Sequence, residues 1–149
     1  MKPTVSRTFT TKASPEAAFA YLADFSNAEE WDPGTKTCTR VSGDGGVGTV
    51  YHNVSSFLGR EVEVDYTAVE VEEPTRIHMH GKNEQFDGHD VLGVRAHPDG
   101  AEISYTAQFG FSGVARFAAP LVAAYLPHLA TKTIDQLREC LDRLPRTAP

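Results

Sequence analysis

A chain of 149 residues with 20 acidic and 14 basic side chains, net charge −6, has the length of one domain, 1–149, able to bury a core without disulfide or metal staples. Its acidic balance and scattered Lys and Arg argue against nucleic acid or anionic lipid as partners, and no run approaches the roughly 20 apolar residues that span a bilayer. The two cysteines, Cys38 and Cys140, lack CxxC spacing, which argues for a reducing compartment and against a zinc knuckle or disulfide framework; with no basic and apolar leader at the start, a cytoplasmic protein is expected.

Thr4 to Thr10 alternates apolar and polar residues as a half-buried strand, with Arg7 the charged exception on its apolar side. Arg7 reads as a side chain that snorkels to water, or as a polar anchor at the rim of a cavity. Ser14 then caps a helix opened by Pro15 and Glu16 and running to about Asp24, and Asn27 to Trp31 forms a second short helix. Trp31-Asp32-Pro33 ends it, because the residue before a proline leaves helical space. From Thr35 the period changes to two. Strands are predicted at 35–42, 47–57, 60–71, 75–82, 88–97 and 101–110, with links short enough for an antiparallel meander. Gly43 to Gly48 reads as a hairpin turn, because no Lys-Ser/Thr follows it and it leads into a strand.

The last segment, Ser112 to Leu144, is the one stretch long enough for a major helix. Leu129, Ile134, Leu137, Leu141 and Leu144 form one apolar stripe, whereas the first half is apolar nearly all round and holds Pro120 and Pro127. Pro120 is expected to begin the continuous helix, Gly113 to Ala119 to form a separate turn or flap, and Pro127 to kink the helix so that it leaves a cavity against the sheet.

Strand, two short helices, six strands and a long C-terminal helix resembles the START-like or Bet v 1-like (SRPBCC) superfamily, in particular its polyketide cyclase/dehydrase-like branch. The residues that carry the resemblance are Ala13 to Phe19, Asn27 to Pro33 around Trp31, Gly46-Val47-Gly48-Thr49, Glu73 to Ile77 and Pro98-Asp99-Gly100. It implies an α+β helix-grip fold: a curved seven-stranded antiparallel sheet wrapped around the C-terminal helix, enclosing an apolar cavity for a polyketide, lipid or similar molecule. Members of the superfamily include aromatase/cyclases, which rely on polar cavity residues, commonly an arginine with tyrosines. Here Arg7, Arg40 and Arg60 are loose candidates for that arginine.

The strand faces define a candidate site. Val62, Val64, Tyr66 and Ala68 share the inner face with Ile77 and Met79, Leu92 and Val94, and Ile103, Tyr105, Ala107 and Phe109. In the third strand two registers stay open. One turns Tyr51 inward with Asn53 and Ser55 beside it, as the resemblance favours; the other turns His52 inward as a general acid or base. The expected ligand-binding set is Trp31 near the open end of the cavity, Tyr51, Asn53, Tyr66, Met79, Tyr105 and Phe109 from the sheet, and Phe111, Phe117, Leu121 and Tyr125 from the helix region. His78 and His80 share a solvated face with no third ligand placed by spacing, so no metal and no cofactor are expected. Three functions stay open: binding of a hydrophobic small molecule, a polyketide cyclase or dehydratase working by acid-base chemistry in the cavity, and a protein-binding module. The partner is then a hydrophobic small molecule, and the chain a monomer or homodimer.

Overall fold

The computed structural model describes residues 2–144, so the two ends of the expected domain, Met1 and 145–149, lie outside the described residues. The strands are β1 Thr4–Thr11, β2 Thr35–Ser42, β3 Val50–Phe57, β4 Arg60–Glu72, β5 Arg76–Lys82, β6 Phe86–His97 and β7 Gly100–Phe111. The helices are α1 Pro15–Ala23, α2 Ala28–Trp31 and α3 Ala119–Asp142, with 3₁₀ turns at Phe25–Asn27 and Gly113–Ala118. Every pairing is antiparallel and the strand order is β1-β7-β6-β5-β4-β3-β2, so β2 to β7 form the meander and β1 closes on its far edge. This is the α+β helix-grip architecture.

Local chemistry sets the boundaries. Ser14 Oγ accepts from the Ala17 amide at 3.1 Å, capping α1 ahead of Pro15. Gly43 has φ 93°, and a Cβ there would lie 2.6 Å from Thr49, so the β2–β3 turn needs glycine at that point. The buried Thr49 holds the turn by accepting from the Gly45 amide at 2.8 Å, so β3 begins at Val50 rather than at Val47. In β4 the register shifts between Ala68 and Glu70. Val69 is left exposed by that bulge, and Val71 returns to the core side opposite Ile77.

The core fills one half of the concave face. Ile77, Met79, Leu92, Val94 and Ile103 are buried there with Ala18, Phe19 and Leu22 of α1. α2 packs between β2 and α3. Leu126, Ala130, Ile134, Leu137 and Leu141 give α3 its buried stripe, spaced three or four apart. Pro120 lies in the first turn of α3, where a missing N–H costs nothing, and the preceding 3₁₀ turn is separate, as the sequence suggests. Pro127 lies inside α3, which continues through it for 24 residues in all. Both thiols are free: Cys38 buried, Cys140 half-buried. No helix among the described residues is long and apolar enough to cross a membrane.

Candidate functional site

Between the first half of α3 and the ends of β3, β4, β6 and β7 the two layers separate and leave a cavity of about 1020 Å³. Its mouth is aromatic. Phe57 at the end of β3 lies 6.3 Å from both Phe109 and Tyr125, while Phe86 lies 6.0 Å from Phe109 and 5.7 Å from Phe111, ring centre to ring centre. Val62, Val64, Val122 and Leu129 extend the apolar walls inward, and Arg60 and Lys132 stand at the edge.

The floor is polar. Asp32, Ser55, Tyr66, Asp90, Tyr105 and Thr133 all reach the cavity. Asp90 projects from β6 on the same face as Leu92 and Val94, and its carboxyl is pushed up to about 7, first by burial and then by the charge of Asp32. The neighbouring Tyr105 hydroxyl pulls it part of the way back. Asp32 is also raised by burial, and the donors Gly34 N–H (3.1 Å) and Thr35 Oγ1 (2.9 Å) oppose that shift. Burial lifts both Tyr66 and Tyr105 well above the ordinary phenol value, so each stays a neutral hydroxyl. The Tyr66 ring lies over Gly81, where a Cβ would come within 2.4 Å of it, and the Phe86 ring lies over Gly88 in the same way. Those two glycines face each other across β5 and β6 and make room for the rings.

A hydrogen-bond chain links one wall to the floor. Ser55 Oγ donates to Asn53 Oδ1, Asn53 Nδ2 donates to Thr35 Oγ1 at 3.1 Å, and Thr35 Oγ1 donates to Asp32 Oδ2 at 2.9 Å. Its two ends, Ser55 and Asp32, face the cavity, and its middle is buried.

Of the residues expected from sequence, the structure brings Tyr66, Tyr105, Phe109, Phe111 and Tyr125 together around the cavity. Tyr51 and Asn53 do point inward and His52 outward, which settles the register of β3. The cavity wall, however, does not include Tyr51 or Asn53. Tyr51 packs edge-on against Phe25 at 6.0 Å, and Asn53 spends its amide within the buried chain. Met79 is fully buried in the half of the sheet that α1 covers. Trp31 corrects the expectation most sharply. It is 1% exposed and packed edge-on against Phe25 and Tyr105, because α2 tucks it beneath α3 rather than at the open end. Phe117 and Leu121, 72% and 61% exposed, point to solvent. One 3₁₀ turn and the start of α3 cannot turn every apolar residue inward: Ala115 and Ala118 take the inner positions instead, and Val114, itself largely exposed, touches the cavity only at its edge.

His52 lies on the convex face, where hydrogen bonds to Asp65 at 2.7 Å and Glu63 at 2.9 Å raise its pKa. It is not among the residues that line the cavity, and its ring is held by those two carboxylates on the other face of the sheet, so it does not serve as the acid or base there. Arg7 reaches the Ser6 carbonyl at 3.0 Å beside a separate shallow groove with Leu126 and Pro127, and of the three arginines Arg60 is the one that borders the cavity. Sequence reasoning missed Asp32, Phe57, Phe86 and Asp90. Strand parity could have found three of them: Phe57 follows Tyr51, Asn53 and Ser55 by twos, and Phe86 and Asp90 precede Leu92 and Val94 by twos.

The fold recurs in solved structures. ZhuI, an aromatase/cyclase from a Streptomyces species, superposes with a TM-score of 0.79 at 12% identity, over 96% of this chain and 95% of that one. A START superfamily protein from Mycobacterium smegmatis gives 0.77 at 15% identity, over 95% and 99%. The di-domain aromatase/cyclase BexL gives 0.72 at 13% identity, with 97% of this chain matched to 51% of that longer one. At such identities the likeness is one of fold alone. Among curated proteins no sequence match is found. Residues 2–144 match one family over nearly the whole chain, and the protein belongs to it: the polyketide cyclase / dehydrase and lipid transport family.

Proposed function

We propose that the protein binds one hydrophobic, oxygen-bearing small molecule in the cavity between sheet and α3, with its rings or chain against the aromatic mouth and its oxygen atoms at the floor. The observation that carries this reading is the polarity gradient of the cavity. Its volume of about 1020 Å³ lies at the upper end of the roughly 300–1,000 Å³ typical of small-molecule sites. Apolar walls supply affinity by releasing water, and a few convergent polar groups fix orientation. At the floor two neutral phenols can donate, and a carboxyl with a pKa of about 7 can donate or accept near neutral pH. That pattern suits a polycyclic phenol-ketone better than a plain hydrocarbon chain. Val114 lies at the edge of the cavity, and with the exposed Phe117 and Leu121 that follow it along the chain we read it as an apolar lip through which such a molecule enters.

A second reading, cyclase or dehydratase chemistry, is favoured by one specific observation. Asp90 is poised to lend or remove a proton near neutral pH, with the Tyr105 hydroxyl beside it and Asp32 close enough to shift it. In that reading Asp90, not His52, is the acid-base group.

Calorimetric titration with a dihydroxyanthraquinone, and with palmitate as an apolar comparator, tests the binding. The expected result is one anthraquinone per chain, held more tightly than palmitate, with Tyr105→Phe weakening it about fivefold, the loss of one net hydrogen bond. Equal affinity for both probes in wild type and Tyr105→Phe would remove the polar floor from the account. For the second reading, Asp90→Asn should retain binding while abolishing turnover of a β-hydroxyketone analogue of the bound molecule.

A further inference from the structure

The convex face of the sheet carries a group of side chains that the cavity does not use. His80 and His89 are directly opposite each other across β5 and β6, with rings stacked at 4.5 Å and parallel to within 2°. Both aim Nε2 at the same oxygen: Asp87 Oδ1 lies 2.9 Å from His80 Nε2 and 3.4 Å from His89 Nε2. Strand parity puts Asp87 on the face of His89, two residues earlier on β6.

We propose that His80, His89 and Asp87 form a divalent-cation site of the zinc class, independent of the cavity. Two imidazole nitrogens and one carboxylate oxygen are borderline donors that suit Zn²⁺ better than Mg²⁺ or Ca²⁺, which prefer all-oxygen shells. The three donor atoms lie within 4.8 Å of one another. Tetrahedral zinc with bonds of about 2.0–2.1 Å needs them about 3.4 Å apart, so rotamer adjustments of about 1 Å complete the site. The side chains are 28%, 32% and 48% exposed for His80, His89 and Asp87, which leaves the fourth position open to water.

The second support is His78. Its Nε2 lies 2.9 Å from His89 Nδ1, on the side of the ring away from Asp87. For His89 to offer the Nε2 lone pair to a cation, its hydrogen must sit on Nδ1, and a histidine ligand of this kind holds that hydrogen with an acceptor behind it. His78 Nε2 is in the position of that acceptor. His78, the residue that looked like a ligand beside His80 in the sequence, is thus a positioning residue, and the missing third ligand comes from the neighbouring strand.

Zinc sulfate titrated calorimetrically into the untagged, EDTA-treated chain tests the proposal. One equivalent of zinc per chain is expected. His80→Ala and His89→Ala should each weaken it more than tenfold, and His78→Ala by about tenfold with the stoichiometry kept, the usual size of an outer-shell loss. His52→Ala is the control, since His52 lies on the same face but between Glu63 and Asp65, and its titration should match wild type. Cobalt substituted for zinc should give the intense visible bands of tetrahedral coordination, lost in His80→Ala. The proposal is overturned by the absence of saturable one-to-one binding, or by zinc binding that survives both His80→Ala and His89→Ala. Circular dichroism of each variant, expected to match wild type because these side chains pack on no other layer, separates loss of the site from loss of the fold.

Discussion

Replacing Asp90 by asparagine isolates the electrostatic character of the cavity floor. The carboxyl is raised from 3.8 to about 7, chiefly by burial. Because the folded value lies above the unfolded one, the folded chain holds this proton more tightly than the unfolded chain between those pH values. The stability associated with the neutral acid is therefore complete below about pH 4 and is lost progressively as pH rises to about 7. At 1.36 kcal/mol per pH unit, the upper limit of that loss is about 4 kcal/mol. Solvent reaching the floor through the mouth screens the charge, and about 2 kcal/mol is the better expectation. Asp90→Asn keeps the shape and removes both the buried charge and its repulsion with Asp32. At about pH 8 it should melt roughly 4–8 °C above wild type, since 1 kcal/mol moves a chain of this size by about 2–4 °C. Below about pH 4, where Asp90 is neutral in wild type too, the two should nearly coincide. Differential scanning calorimetry across that range reads both. An asparagine variant no more stable than wild type at the alkaline end, with an unchanged fall of stability between the two limits, would show that Asp90 is an ordinary solvated carboxylate and refute the reasoning.

Three further outcomes follow from the packing. Trp31, 1% exposed, should emit at short wavelength and resist quenching by iodide; ready quenching would return it to the cavity mouth. Pro127→Ala gives α3 back an amide donor at an exposed helix position and should raise stability by about 1–3 kcal/mol in urea unfolding. Its effect on anthraquinone affinity should be under about twofold, within experimental scatter for a residue whose side chain faces away from the cavity wall. Gly81→Ala drives a Cβ to 2.4 Å from the Tyr66 ring, and should cost about 1–3 kcal/mol by overpacking while pushing that ring into the cavity and weakening the same probe.

The architecture was legible because each signal was local. Ser14-Pro15 marks a helix start, alternation marks the strands, and Pro120 falls where a helix can begin. The alternation left Tyr51 or His52 inward open, the resemblance favoured Tyr51, and the burial pattern agrees with it. The site was less legible, because burial alone does not say which buried residues border empty space. Met79 and Tyr66 share one inner face, yet α1 fills the volume beside Met79, and glycines at 81 and 88 leave room beside Tyr66 and Phe86. Trp31 looked peripheral beside a loop, and only the packing of α2 against α3 shows it to be interior. Asp90 was hidden by chemistry: an acidic residue at an inward position reads as a break in the apolar pattern, although parity with Leu92 and Val94 places it on the cavity face. The convex-face cluster needed the β5–β6 register, which no spacing along the chain supplies.

The central claim is that an oxygen-bearing hydrophobic molecule occupies the space between sheet and α3, with its polar end at the floor. The most direct measurement is the contact map of a bound dihydroxyanthraquinone by intermolecular nuclear Overhauser effects in solution. Contacts from the probe's ring protons to Phe57, Phe109, Val122 and Tyr125, with the phenolic edge beside Tyr66 and Tyr105, are predicted. Contacts confined to the exposed Phe117 and Leu121, or to the convex face of the sheet, would contradict it.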